Sequence, residues 1–137
     1  MILVDTNVWS ELTRANPEPR VQQWEKANAD RLWLATIVIG ELLSGAHLLP
    51  EGHRKQNFLD GYGKLIAMHE HRIVPFDLES ARQYGPVLAY LESNGRNPTT
   101  ADAQLAGIAL SRGMTLATRN TRDFVGLGLK LMNPWEA

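Results

Sequence analysis

Met1-Ile2-Leu3-Val4-Asp5-Thr6-Asn7 opens the chain with an apolar run, one acid, and then two residues that favour turns and helix caps. Ile2 to Val4 reads as a buried strand that delivers Asp5 to its carboxyl end. Behind it, Val8, Trp9 and Leu12 share one face of a short helix, which Pro17 and Pro19 are expected to end. A strand turning at once into a helix is the start of a parallel α/β unit, and the remaining sequence repeats that alternation.

Working outward, Val21, Trp24 and Ala27 recur three apart in a second helix, and Leu32 to Ala35 is short enough for a second buried strand. Thr36 is positioned to cap a helix from Ile37 to about Leu49 that is apolar almost all round, Glu41 being its polar exception. Pro50 to Arg72 is the most polar stretch. Phe58, Leu59, Tyr62, Leu65 and Ile66 nevertheless keep helical spacing within it, which predicts an amphipathic helix. Ile73 to Phe76 reads as an edge strand because of Pro75, and Asp77 caps a long helix through Ala81, Tyr84, Val87, Leu88 and Leu91 to Gly95. Asn97 to Thr100 turns into a helix whose small face (Ala103, Ala106, Gly107, Ala109) predicts close packing before Gly113 stops it. Met114 to Ala117 and Leu129 to Met132 complete the strands, with a loop at Arg119 to Phe124 between them. The expected fold is α/β, a central parallel twisted sheet flanked by helices.

With 137 residues, 44% of them hydrophobic, the chain is expected to form one domain over 1–137 that buries about two thirds of its unfolded surface. It contains no Cys, which excludes disulfides and thiolate metal sites. Fourteen Lys and Arg against fifteen Asp and Glu leave a formal charge of -1, so bulk attraction to nucleic acid is excluded and any such contact must be local. The first apolar run is too short, and too soon broken by Asp5, for a signal peptide or membrane span, so the chain is expected in the cytoplasm.

Asp5, Glu41, Asp102 and Asp123 each fall just after a proposed strand or in an early turn of the following helix. In an open parallel sheet those positions share the crevice at the carboxyl edge. Clustered carboxylates at about 4 Å repel by roughly 4 kcal/mol at an effective dielectric near 20, so they must take up protons or hold a cation. An oxygen-only set without Cys suits Mg²⁺ or Mn²⁺. Each acid also has a structural reading. Asp5 can cap the next helix, Glu41 can face solvent, Asp102 stands at capping-box spacing from Thr99, and Asp123 can pair with Arg119 or Arg122. Thr6, Thr118 and Asn120 lie at the same edge, where hydroxyl and amide groups can orient the acids or serve as turn residues.

These residues, in this order, resemble PIN-domain ribonucleases, and more narrowly the VapC and FitB type toxins of bacterial toxin–antitoxin pairs. The anchors are Met1 to Asn7, Glu41-Leu42 with Gly45, Ala101-Asp102-Ala103, Thr118-Arg119-Asn120, Asp123-Phe124 and the ending Asn133-Pro134-Trp135, and they span nearly the whole chain. The stretch from His47 to Arg72 carries no such anchor. The resemblance implies Mg²⁺ or Mn²⁺ held by Asp5, Glu41, Asp102 and Asp123, and endonucleolytic cleavage of RNA by metal-activated water. Asp5 and Asp102 would be principal ligands, Glu41 would complete the shell or position the water, Asp123 would bind directly or through water, and Thr6, Thr118 and Asn120 would support them. It further implies an antitoxin that masks the site and binds DNA, and a homodimer within a larger complex.

Arg119 and Arg122 are the candidate RNA-binding residues beside the acids, with Arg14, Arg20 and Arg96 extending the track. Trp9, Trp24 and Trp33 belong to apolar patterns and read as core or interface aromatics, although Trp9 and Leu12 are also candidates for an antitoxin groove. His69 and His71, two apart on a polar stretch, read as surface residues. Two further functions compete: a catalytically idle PIN-like module that binds a metal or partner, and a phosphatase or phosphate-accepting receiver domain. The latter is disfavoured because Asp5-Thr6-Asn7 lacks a second Asp.

Overall fold

The computed structural model describes residues 1–137. Strand β1 (Ile2–Val4) is completely buried, each residue 0% exposed, because it lies at the middle of a five-stranded sheet with helices on its faces. The order is β3-β2-β1-β4-β5, with β2 at Leu32–Ala35, β3 at Ile73–Val74, β4 at Thr115–Ala117 and β5 at Leu131–Met132. Every pairing is parallel, with Leu3 beside Trp33 on one side and Leu116 on the other. The chain winds outward through β2 and β3, then returns to lay β4 and β5 on the far side of β1. The strand order therefore reverses between β1 and β4, where an open α/β sheet leaves a crevice beyond its carboxyl ends.

Six helices connect the strands: α1 (Thr6–Leu12), α2 (Pro19–Asn28), α3 (Thr36–His47), α4 (His53–Met68), α5 (Leu78–Ser93) and α6 (Thr100–Arg112). Their stops and starts follow local chemistry. Helix α1 ends before the prolines expected to end it, since the Thr13 hydroxyl donates to the carbonyls of Trp9 and Ser10; Pro19 instead occupies the first turn of α2. Thr36 is the first residue of α3 rather than its cap, and Ala35 precedes the helix without a side-chain bond. Asp77 and Thr99 cap α5 and α6 as expected, and Gly113 closes α6 at φ 63°. Pro86 sits inside α5.

The small face of α6 packs on α5 so closely that a Cβ on Gly107 would lie 2.8 Å from the Ser80 carbonyl oxygen. That fixes α6, and Asp102 in its first turn, against the sheet. His69 is 6% exposed rather than superficial. Its Nδ1 bonds to the Leu65 carbonyl at 2.8 Å, and its ring meets Trp9 edge-on at 5.0 Å between centroids. No helix is long and apolar enough to cross a membrane.

Candidate functional site

Asp5 leaves β1 in extended conformation and caps α1, so its position is set by the backbone of both elements. The Thr6 N–H donates to Asp5 Oδ1 at 2.7 Å, and from the end of β4 the Thr118 hydroxyl donates to Oδ2 at 2.8 Å. Asn7 was absent from the candidate residues, yet its amide donates to Asp5 Oδ2 at 3.3 Å and to Thr118 Oγ1 at 3.4 Å. Its Oδ1 accepts the Arg119 N–H at 3.3 Å, joining the first and fourth strands across the switch point. The signal was its place two residues after the strand-end acid, where an amide can bond in both directions. Asn120 contributes its N–H to Thr118 Oγ1 at 3.1 Å, which turns the hydroxyl proton toward Asp5.

Glu41 is exposed on α3, but the Thr6 hydroxyl donates to its Oε1 at 2.7 Å. Thr6 thus binds Asp5 through its backbone and Glu41 through its side chain. Asp102 accepts nothing in this network. Its N–H bonds to Thr99 Oγ1 at 3.1 Å, and its side chain lines a hollow of about 90 Å³ with Asp123, Arg96, Asn97 and Pro98. Thr6 thus bridges Asp5 and Glu41, while Asp102 and Asp123 share a hollow with an arginine of this chain, and the charge of Asp102 also reaches Asp5. Arg96 had been expected only as part of a basic track; here its Nη1 donates to the Val125 carbonyl at 2.6 Å. Asp123 forms no ion pair with Arg119 or Arg122, and Arg122 is simply exposed.

Burial is the main cause that raises the Asp5 carboxyl from 3.8 to about 6. The bonds from Thr118 and Thr6 pull it down, while the charges of Asp102 and Glu41 add smaller upward pushes. The charges of Asp102 and Glu41 thus reach Asp5.

The predicted acids do not form a metal shell. No three His, Asp or Glu side chains anywhere in the chain approach closely enough to hold an ion together. The expected Mg²⁺ or Mn²⁺ site at Asp5, Glu41, Asp102 and Asp123 is corrected on that ground, and with it the expected metal-dependent endoribonuclease and hydrolase activity. The physical reason lies in the bonds above. Thr6 joins Asp5 to Glu41, whereas Asp102 and Asp123 line a hollow beside Arg96 that neither Asp5 nor Glu41 lines.

Another expectation also fails: Trp9 is 1% exposed and cannot line an antitoxin groove, although Leu12 is half-buried beside it. The surface next to Glu41 is built instead by the stretch that carried no anchor. A hollow of about 220 Å³ runs from Thr6 and Glu41 to Leu49 and to Arg54, Phe58 and Tyr62 of α4.

Compared with known proteins, the chain matches the PIN domain over residues 2–127. It is 42% identical over 139 residues to the plasmid stability protein StbB of Pseudomonas syringae pv. tomato, with 100% of both chains covered. It is 37% identical over 140 residues to the VapC ribonuclease Y4jK of Sinorhizobium fredii, covering 99% of each. Among solved structures, FitAB bound to the IR36 DNA fragment contains a chain that superposes with a TM-score of 0.91 at 33% identity, covering 98% of this chain and 96% of that one. Parallel sheet, switch-point acids and these matches together define an α/β PIN domain. The chain belongs to the PIN-domain family as a toxin of the VapC/FitB type, part of a type II toxin–antitoxin system.

Proposed function

We propose that this chain acts as the partner-binding member of its toxin–antitoxin pair, an otherwise idle PIN module whose Asp5–Glu41 pocket receives a cationic side chain of the antitoxin. The observation that carries this reading is the unneutralised state of the pocket: Asp5 is buried, held near pKa 6, and faces the fields of Glu41 and Asp102 with no cation paired to it. A guanidinium placed there relieves the repulsion and matches carboxylate geometry with its planar fork. The hollow beside Glu41 adds an apolar wall of Leu42, Leu49, Phe58 and Tyr62 for a hydrophobic neighbour of that cation.

In this reading the antitoxin covers the acid pocket and supplies the DNA-binding part of the complex. Residues 1–137 work as one domain, as a homodimer within that complex, in the cytoplasm. The roles of Asp5 and Glu41 are to bind the cation, those of Thr6, Thr118 and Asn120 to orient the two acids, and those of Asp102 and Asp123 to supply the surrounding negative field.

Isothermal titration with a capped peptide carrying one arginine between leucines tests the reading. Saturable binding is expected at pH 7.5, weakened about tenfold by Glu41→Gln and by Asp5→Asn, and weaker at pH 5, where Asp5 holds its proton. Unchanged affinity in both variants overturns it. So does divalent-dependent RNA cleavage by the isolated wild-type chain.

A further inference from the structure

A separate cleft of about 720 Å³ opens on the other side of α1, between the α1–α2 connection and the C-terminal segment. Its walls include Glu11, Arg14, Glu18, Gln22, Arg119 and Trp135. Most of its charge is already used. Glu11 is 7% exposed and accepts the Arg14 guanidinium at 3.2 Å and the Glu18 N–H at 3.1 Å. Glu18 in turn caps α2 through the Arg20 N–H.

Arg119 is different. Its guanidinium carbon stands 4.8 Å above the Trp135 ring, and it pairs with no acid. The backbone beneath it is pinned on both sides, its N–H to Asn7 Oδ1 and its carbonyl to the Asn133 amide at 3.3 Å each. One face of a planar cation is thus held against an indole while its N–H edges remain free, an arrangement that loses little side-chain entropy on capturing an oxyanion. Asn7 also bonds Asp5, so this free cation stands within the reach of one amide plus an arginine side chain from Asp5, a gap that about three to four extended residues can span.

We propose that Arg119, backed by Trp135, is a carboxylate-binding subsite that reads an acidic residue of the same partner segment whose cation enters the Asp5–Glu41 pocket. The proposal rests on the function proposed above and adds a charge order to it: the segment carries a cation and, three to four residues away, an anion. A protein segment fits this surface better than a nucleic acid. A phosphate chain reaching Arg119 would run past Glu11 and Glu18 in the cleft and Asp5, Glu41 and Asp102 beside it, whereas a mixed-charge peptide meets each field with its opposite.

Capped pentapeptides with arginine at one end and either glutamate or glutamine at the other, made in both orders, test this by isothermal titration. In one order the glutamate peptide is expected to bind about tenfold more tightly than its glutamine twin. Arg119→Gln should abolish that advantage, and Asp5→Asn should weaken both twins alike. Equal affinity of the twins in both orders, or an advantage that survives Arg119→Gln, overturns the subsite while leaving the acid pocket standing. If neither twin binds, the acid-pocket reading fails and this one with it. Tighter binding of a ten-nucleotide RNA, lost in Arg119→Gln, assigns the cleft to nucleic acid and overturns the proposal.

Discussion

Replacing Asp5 with Asn is expected to stabilise the isolated protein at neutral pH, against the usual rule that changing a buried, hydrogen-bonded group costs stability. The carboxyl titrates at 3.8 when unperturbed and at about 6 in the folded chain. A carboxyl raised in this way makes the folded state bind more protons than the unfolded state between those values. Stability from this group is therefore full below about pH 4 and is lost as pH rises through 6. At pH 7 the loss integrates to about 3 kcal/mol, at about 1.4 kcal/mol per unit. Asn has nearly the same shape and no charge. Its oxygen can keep the Thr6 N–H, but its amide must face Thr118 and Asn7, which costs about 1 kcal/mol. The net expectation is a gain of about 2 kcal/mol at pH 7, or roughly 6 to 8 °C in Tm for a chain of this length. Thermal unfolding of both proteins from pH 3.5 to 8 measures it. The gap should open between pH 4 and 6 and close or reverse below. A variant less stable than wild type at pH 7, or a gap independent of pH, would refute the assignment of Asp5 as a buried, unneutralised carboxylate.

Thr118→Val removes the hydroxyl that donates to Asp5 Oδ2, so the Asp5 pKa should climb above 6 and the protein should lose about 1 to 2 kcal/mol at pH 7, read by carboxyl-carbon NMR titration and urea unfolding. Gly107→Ala should cost about 1 to 3 kcal/mol in denaturant unfolding, because the new methyl would meet the Ser80 carbonyl oxygen at 2.8 Å and separate α6 from α5.

The fold was legible because each element announced itself locally. The uninterrupted apolar run before Asp5 reads as a strand buried on both faces, and Asp77, Thr99 and Gly113 marked helix ends by chemistry that needs no tertiary partner. Where a tertiary contact decided, the sequence misled. His69 looked polar and superficial until the Leu65 carbonyl and the Trp9 ring enclosed it; Trp9 is the core aromatic its apolar pattern indicated, and only its second reading, as part of a groove, fails.

The site shows the same division. Strand-end positions bring Asp5 within the fields of Glu41 and Asp102. Whether their oxygens shared a single point depended on rotamers and on competing donors. Thr6 links Asp5 to Glu41, Asn7 and Thr118 hold Asp5 alone, and Asp102 lines a hollow with Asp123 and Arg96. No pattern of residue types along the chain encodes that choice. The Arg119–Trp135 stack was invisible for the same reason, being defined by a contact between separate segments, and Asn7 had only its place two residues after Asp5 to mark it.

The most direct measurement is a pair of amide NMR titrations of the isolated chain, one with argininamide and one with MgCl₂, followed at Thr6, Asn7, Glu41, Thr118 and Arg119. Argininamide should produce saturable shifts confined to these residues and lost in Asp5→Asn, whereas Mg²⁺ should produce only the small, unsaturated drift of added salt. Saturating shifts with Mg²⁺ at these amides, and none with argininamide, would show that the carboxylates close on a metal after all.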